Sequence, residues 1–238
     1  MTQSPLRILA IGAHPDDIEL GCAGTLARCI QRGDEVTIAI VCKGDCGSSD
    51  MSREELARVR SQEARDAAEL LGADLVELGL ADFGVEIAAS IATLFTDLLR
   101  RVNPDVVITH YRDDYGSDHN NTFQLVRDAS LAATVPNIES SHPPAKSMPL
   151  LYMMEPLGGF DFMPAIYVDI GDTYATKLKM LECHQSQIRW MSRYGGVDFR
   201  DYMTTVARFR GYQCQAKYAE AFVPHRSWGH IAAGRVLP

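Results

Sequence analysis

The sequence predicts an α/β fold: a mostly parallel, Rossmann-like sheet flanked by helices, with a smaller α+β extension at the C-terminal end. Three observations support this class. Short apolar runs of strand length alternate with longer runs of helical spacing over residues 6–133, the order from which right-handed βαβ units are built. The strand runs are rich in Val and Ile, which is typical of strands buried on both faces. Hydrophobic residues make up 46% of the 238 residues, enough for a sizeable core.

The Rossmann-like core is predicted over residues 1–135. Gly33, Gly72 and Pro104 end three of its helices, and Ser52 with Glu55 forms a capping box at the start of another. The strands are expected at 6–11, 35–42, 74–78 and 105–109, and the helices at 25–32, 52–71, 87–102 and 119–133.

Residues 136–238 have a different character. A loop at 136–149 contains four prolines, which exclude a helix there. Beyond it we predict strands at 150–154, 165–170 and 218–222 and helices at 174–187 and 199–210. We expect this part to cover the sheet, so that residues 1–238 form a single domain.

The composition narrows the class of protein. A formal charge of −8 argues against a nucleic-acid partner, and no apolar run reaches the roughly 18–20 residues that span a membrane. The residues before the first strand do not resemble a signal peptide. We therefore expect a cytoplasmic protein whose six cysteines are reduced.

Two polar clusters follow predicted strands. His14, Asp16 and Asp17 follow the first strand, and a second loop with Asp118 and His119 follows the fourth. Strands 1 and 4 are often neighbours in a doubly wound sheet, so the two loops should face each other. His14, Asp17 and His119 would then make a site of two histidines and one carboxylate, the composition of catalytic zinc. Fe²⁺ accepts the same set, which keeps an iron oxygenase as a further interpretation.

The remaining two carboxylates have separate predicted roles. Asp16 cannot easily bind the same ion as its neighbour, but it can take a proton from the attacking water. Asp118 is placed to orient a ligand or a catalytic group. Each residue alone has a simpler explanation, because an Asp can cap the next helix and a lone His is more often a packing residue. The conjunction of two such clusters, each after a strand, favours a site.

These residues resemble the PIG-L/LmbE-like zinc N-deacetylases, a family that includes deacetylases of N-acetylglucosamine conjugates. The similarity extends over most of the chain. The motifs that carry it are Ala13-His14-Pro15-Asp16-Asp17 with Gly21, Gly24 and Thr25; Asp118-His119; and, as weaker support, Val59-Arg60, Glu63-Ala64, Leu71-Gly72, His184-Gln185-Ser186-Gln187 and Tyr218-Ala219-Glu220-Ala221-Phe222.

The resemblance implies metal ligation by His14, Asp17 and His119 and a general-base role for Asp16. It also implies that Arg60 contacts the substrate near the metal, although a surface ion pair with a neighbouring glutamate is an equally good reading. Tyr202 matches a family tyrosine near the substrate, and core packing is the simpler explanation for it. Family members are often oligomers, so we expect a homo-oligomer acting on a small amide or sugar conjugate.

One departure from the family pattern concerns the second loop. The family reads Asp-x-His-x-Asp-His, and its first His is proposed as general acid or oxyanion stabiliser. Here Gly116 takes that place, in Asp114-Tyr115-Gly116-Ser117-Asp118-His119. The missing group would have to come from elsewhere. The candidates are His110, Tyr115, His225 and His230, and the last two could reach a neighbouring subunit.

The main functional hypothesis is therefore zinc-dependent hydrolysis of an N-acetyl group, in which the metal polarises the acetyl carbonyl and Asp16 activates the water. The alternative is a metal-dependent hydratase or lyase on a small acidic metabolite, which would release no acetate from any amide. Oxygen dependence would identify an iron oxygenase. A binding protein that keeps the site as a relic is the fourth reading, and the intact ligands argue against it.

Overall fold

The computed structural model describes residues 4–228, 230–232 and 236–238. The described chain forms seven strands and eight α-helices. In chain order they are β1 (Arg7–Gly12), α1 (Asp17–Gly21), α2 (Ala23–Arg32), β2 (Glu35–Cys42), α3 (Arg53–Leu71), β3 (Asp74–Leu80), α4 (Ala89–Val102), β4 (Val106–Thr109), α5 (Ser117–Ala132), β5 (Leu150–Met154), β6 (Ile166–Asp169), α6 (Tyr174–Cys183), α7 (Gln185–Trp190), α8 (Phe199–Cys214) and β7 (Ala219–Pro224).

All seven strands join one sheet in the order β3-β2-β1-β4-β5-β7-β6. The first five strands in that order are parallel, whereas β7 runs antiparallel to both β5 and β6. The predicted neighbourhood of strands 1 and 4 is confirmed, with Ile8 opposite Val106 and Ala10 opposite Ile108. The carboxyl ends of β1 and β4 therefore open at the same edge, where ligands bind in open α/β sheets.

Helices cover both faces of the sheet, and each face has its own apolar core. On one face, Leu26 of α2, Ala64 of α3 and Met180 of α6 pack against the strands. On the other face, Phe95 of α4 and Phe123 of α5 do the same. The predicted class, a mostly parallel α/β sheet flanked by helices, is confirmed. No helix in the described ranges has both the length and the apolar character to cross a lipid bilayer.

Two elements differ from the sequence prediction. The turn after β1 contains a short extra helix, α1, so Asp17 begins a helix instead of ending a loop. The single helix predicted over 174–187 is broken at His184, whose φ of −83° and ψ of 55° are not helical. Both differences, the extra helix α1 and the break at His184, occur where buried polar side chains meet at one edge of the sheet. The spacing of hydrophobic residues along the chain carries no information about such contacts.

Candidate active site

The turn after β1 is held by a neighbouring strand and by the side chain of Asp17. The Ala13 carbonyl accepts a hydrogen bond from the Cys42 amide of β2 at 2.7 Å, and the His14 amide donates to Asp17 Oδ2 at 2.6 Å. Asp16 has a φ of 108° and a ψ of −21°. That conformation is uncommon outside glycine, costs on the order of 1–3 kcal/mol and is found mainly where surrounding structure enforces it.

The loop after β4 is braced by side chains. Asn120 Oδ1 accepts a hydrogen bond from the Asp114 amide at 2.7 Å, and Asn120 Nδ2 donates to the Asp114 carbonyl at 2.8 Å. Gly116 precedes α5 with extended backbone. His119, in the first turn of α5, is thereby buried facing the turn after β1.

Three donor groups from the two segments converge, as the sequence predicts. His14 Nδ1 lies 3.2 Å from His119 Nε2. Asp17 Oδ1 lies 3.6 Å from His119 Nε2, and Asp17 Oδ2 lies 3.7 Å from His14 Nδ1. Two imidazole nitrogens and a carboxylate pointing at one another from three positions of the chain fit a divalent metal of the zinc or Fe²⁺ type.

Each of the two histidines has a carboxylate next to the ring nitrogen that does not face the other ligands. Asp118 Oδ2 lies 3.2 Å from His14 Nε2 and also accepts the Phe83 amide at 2.7 Å. Asp114 Oδ2 lies 3.0 Å from His119 Nδ1, without the geometry of a hydrogen bond. Such carboxylates orient metal-binding imidazoles and fix the nitrogen that carries the proton. Asp118 thus faces His14, and Asp114 is the group that the sequence reading left without a role.

The histidines of the site lower the pKa values of two neighbouring carboxylates, Asp17 and Asp114. Burial works to raise the pKa of Asp17, but His119, His110 and His14 outweigh it and hold that pKa below its usual range. The pKa of Asp114 is lowered to about 2 because its contacts with His110 and His119 outweigh its burial. Both carboxylates stay ionised at neutral pH, which favours a cation bound by Asp17 and the neighbouring histidines.

Asp16 is paired with a buried arginine. Arg60 Nη2 lies 3.3 Å from Asp16 Oδ1. The same guanidinium donates to the carbonyls of Gly44, at 3.2 Å, and Pro15. Burial raises the pKa of Asp16 to about 6, although the Arg60 charge opposes that rise. Arg60 is 3% exposed, so it is not the surface ion pair that the simpler reading allowed.

A cavity of about 320 Å³ opens above these groups. Asp16, Asp17 and both candidate histidine ligands line it. Part of its wall is apolar and aromatic, and the rest is polar. The wall includes Phe83, Tyr115, Leu157, Trp190, Met191 and Phe199, and the additional polar residues are Cys46, Arg60, Asp82 and Gln187.

The four candidates to replace the family histidine that is missing at Gly116 lie in different places in the structure. Tyr115 lines the cavity, with its ring centroid 5.2 Å from that of His119. His110 is buried, and its Nε2 accepts the Ala13 amide at 2.8 Å. His225 packs against Phe123, with ring centroids 5.8 Å apart. His230 pairs with Ser227.

Tyr202 lies beside the ligand set, outside the cavity described above. Its hydroxyl accepts a hydrogen bond from the Gly158 amide at 2.8 Å. It lines a smaller cavity of about 40 Å³ that Asp17 and His119 also line, and it is not among the described residues that line the larger one. Its contact with a substrate stays a prediction.

A buried pair near Asp16, made by His184 and Glu19, has no role in the sequence prediction. His184 Nε2 lies 3.4 Å from Glu19 Oε2, and both side chains are almost fully buried. The signal was present in the His184-Gln185-Ser186-Gln187 motif, because Gln187 lines the cavity and Ser186 binds Glu63 of α3. The break between α6 and α7 positions all three side chains.

Comparison with known proteins connects this geometry to a family. A family model described as PIG-L, GlcNAc-PI de-N-acetylase, matches residues 9–130, just over half of the chain. The uncharacterized deacetylase YaiS of Escherichia coli is 30% identical over 185 residues, covering 75% of this chain and 90% of its own. The 4-oxalmesaconate hydratase of Pseudomonas putida is 26% identical over 220 residues, covering 87% of this chain and 80% of its own.

A solved structure agrees in fold over almost the whole chain. The N,N′-diacetylchitobiose deacetylase of Pyrococcus horikoshii superposes with a TM-score of 0.80 at 25% identity, covering 94% of this chain and 87% of its own. The matched family model spans both loops that build the candidate metal centre. The chain therefore belongs to the PIG-L family.

Proposed function

We propose that this protein is a zinc-dependent deacetylase that removes an N-acetyl group from a 2-acetamido sugar conjugate. The observation that carries the proposal is the convergence of His14, Asp17 and His119 at the floor of a cavity that Asp16 also lines. When bound there, a divalent metal supplies Lewis-acid chemistry, since it polarises a carbonyl oxygen and makes water acidic enough to attack near neutral pH.

Asp16 is the proposed general base. Its carboxylate lines the cavity beside the ligand set and is paired with Arg60, whereas that of Asp17 lies next to His14 and His119. Arg60 holds one carboxylate oxygen, which leaves the other for the proton of the attacking water. The arginine is thus proposed as a positioning residue for Asp16, with its contact to the substrate secondary.

Tyr115 is the proposed donor to the developing oxyanion or to the leaving amine. Among the four candidates it is the one with a place in the cavity lining. The usual pKa of a tyrosine hydroxyl is about 10, so the group keeps its proton and donates a hydrogen bond at neutral pH. A Cβ at the neighbouring Gly116 would lie 3.8 Å from His119 Cγ, so Gly116 keeps that space free of a side chain.

The charge of the cavity supports an uncharged substrate. Arg60 is the single lysine or arginine among the described residues that line it, and its charge faces Asp16 and two backbone carbonyls. Aromatic walls such as Phe83, Trp190 and Phe199 can pack on the apolar face of a sugar ring.

Hydration of a small unsaturated oxo acid is the second candidate. The likeness to a 4-oxalmesaconate hydratase favours it, and so does the glycine in place of the family's acid. An acid with several carboxylates, however, would need cations that are free to pair with it. The engaged Arg60 and the carboxylates of Asp16 and Asp82 oppose such a ligand.

The test measures acetate release by the zinc-loaded protein from N-acetylglucosamine and N,N′-diacetylchitobiose, beside hydration of 4-oxalmesaconate followed by its absorbance. Asp16→Asn should keep the metal and lose about 10²–10⁴-fold in kcat. Asp113→Asn, in an exposed position of the second loop, is the matched control and should keep its activity. Unimpaired turnover in Asp16→Asn would contradict the base assignment, and hydration without acetate release would replace the proposed reaction.

A further inference from the structure

His110, the first residue after β4, lies between the two segments that carry the candidate metal ligands. Its side chain is 2% exposed. It lines the smaller cavity together with Asp17 and His119, and it is not among the described residues that line the larger one. A substrate bound in the larger cavity would therefore not contact this imidazole. The contacts of His110 with the ligands themselves indicate a different role.

The backbone pairing of β1 with β4 ends before the ligands begin, and its last residue on β4 is Ile108. Beyond that residue, two consecutive side chains join the segments. Thr109 Oγ1 donates a hydrogen bond to the Ile11 carbonyl at 2.9 Å, and His110 Nε2 accepts one from the Ala13 amide at 2.8 Å. Because Ala13 directly precedes the first ligand, the bond to His110 fixes the place where that ligand leaves the sheet.

The His110 ring also packs against two of the ligands. It stacks on His119, with ring centroids 4.1 Å apart and an interplanar angle of 18°. Its Nε2 lies 3.2 Å from Asp17 Oδ2. One imidazole therefore contacts the ring of one ligand, the carboxylate of a second and the amide just before the third. A shift of one segment against the other would disturb at least one of these contacts.

The two stacked rings are oriented alike. Asp114 Oδ2 lies 3.0 Å from His119 Nδ1 and 3.8 Å from His110 Nδ1, so both Nδ1 atoms face the same carboxylate. Both Nε2 atoms face the turn after β1, where Asp17 is a neighbour of each. The pair of rings thus lies between the carboxylate of one segment and the backbone of the other.

We propose that His110 is a positioning residue, which holds the turn after β1 and the loop after β4 at the separation that lets His14, Asp17 and His119 reach one metal ion. It acts through the ligands and contacts no substrate. The inference rests on the proposed function for its effect on turnover alone, because its effect on metal binding follows from the ligand set.

Three substitutions separate the contacts of the ring. A Gln side chain places its amide oxygen near the position of histidine Nε2, whereas an Asn side chain reaches only the position of Nδ1. His110→Gln therefore keeps an acceptor for the Ala13 amide, and His110→Asn loses it. His110→Phe keeps a ring beside His119 and fills the space, but it has no acceptor.

The experiment measures the affinity of each variant for Zn²⁺ by competition with a chelator, and the visible absorption spectrum of each variant loaded with Co²⁺. His110→Asn and His110→Phe should bind Zn²⁺ about 10–100-fold more weakly than the wild type and should change the Co²⁺ spectrum. His110→Gln should stay within severalfold of the wild-type affinity and keep the spectrum. His142→Asn, at a half-buried position of the loop 136–149, is the matched control and should change neither.

Steady-state kinetics of acetate release distinguish positioning from contact with the substrate. A positioning residue should lower kcat and leave KM nearly unchanged, because the ring does not line the larger cavity. A raised KM at unchanged metal affinity would show that His110 contacts the substrate and would overturn the proposal.

The remaining outcomes separate the inference from the function beneath it. Wild-type zinc affinity in His110→Asn and His110→Phe would overturn the inference, and so would an equal loss in His110→Gln and His110→Asn. His110→Gln keeps the inference testable if the other two variants fail to fold, since it must retain both affinity and spectrum. The absence of acetate release from the wild-type protein would overturn the proposed function alone, because the metal measurements need no substrate.

Discussion

The turn after β1 and the loop after β4 supply the candidate metal ligands together, but they hold their side chains by different means. The first is fixed from outside: β2 binds the Ala13 carbonyl, α3 sends Arg60 against Asp16, and the backbone of Asp16 is strained. The second is fixed mainly from within, by the reciprocal bonds of Asp114 and Asn120.

The space around the two segments also differs. A Cβ added at Gly12, just before the first turn, would lie 3.0 Å from Asp17 Cβ, whereas one added at Gly116 would meet nothing nearer than His119 Cγ at 3.8 Å. The first segment has no room for another side chain, and the second has. A side chain can therefore be added at Gly116 of the second segment but not at Gly12 before the first.

The largest expected effect comes from removing a ligand in the crowded turn. Asp17→Asn keeps the volume and removes the charge that faces His14 and His119. Metal content should fall below one ion per chain, and acetate release should drop by roughly 10³-fold, since a Lewis acid contributes several kcal/mol. Elemental analysis beside an activity assay measures both. A fully metallated, active Asp17→Asn would remove this residue from the ligand set.

The next effect concerns the external support of the first turn. Arg60→Met leaves the buried Asp16 carboxylate without its partner, which should cost about 3–5 kcal/mol in the free energy of unfolding. Because the guanidinium binds two carbonyls as well, Arg60→Lys should restore little. Chemical denaturation measures the loss. Arg58→Met, exposed on α3, is the matched control. Equal stabilities of the two methionine variants would show that Arg60 does not stabilise the turn after β1.

A smaller effect is expected behind the ligands. Asp118→Asn and Asp114→Asn each weaken the orientation of one histidine and should reduce zinc affinity by about 10–100-fold. Competition with a chelator of known affinity gives the two numbers. Asp113→Asn serves as the comparison, because Asp113 is an exposed aspartate that pairs with Arg112. Affinities equal to that of the control would show that the carboxylates have no such role.

The smallest effect tests the open space of the second loop. Gly116→His fits sterically, since its φ of −107° is ordinary and its Cβ is free of close contacts. If an acid limits amide hydrolysis, the substitution should raise kcat for acetate release by about tenfold, which is less than the roughly 10²–10⁴-fold that a well-placed general acid supplies. Steady-state kinetics on N,N′-diacetylchitobiose measure the change. A loss of activity would mean that the substrate itself occupies that space.

Much of the fold follows from local patterns. Strands rich in Val and Ile, the capping box of Ser52 and Glu55, and the left-handed glycines at 33 and 72 gave element positions that the structure confirms within a few residues. The break at His184 was not predictable from local patterns, because it accompanies the burial of that side chain against Glu19 of α1. Helical spacing continues through the break and gives no sign of it.

Local patterns along the chain were enough to predict which side chains meet, because residues that follow neighbouring parallel strands emerge at the same edge of the sheet. His14, Asp17 and His119 needed no more than that. The partners of the supporting groups could be read from the folded chain alone: Asp118 faces His14, Asp114 faces His119, and Arg60 faces Asp16. Strand order fixes the position of a backbone, whereas a side chain's partner depends on its rotamer and on the angle of the helix that carries it.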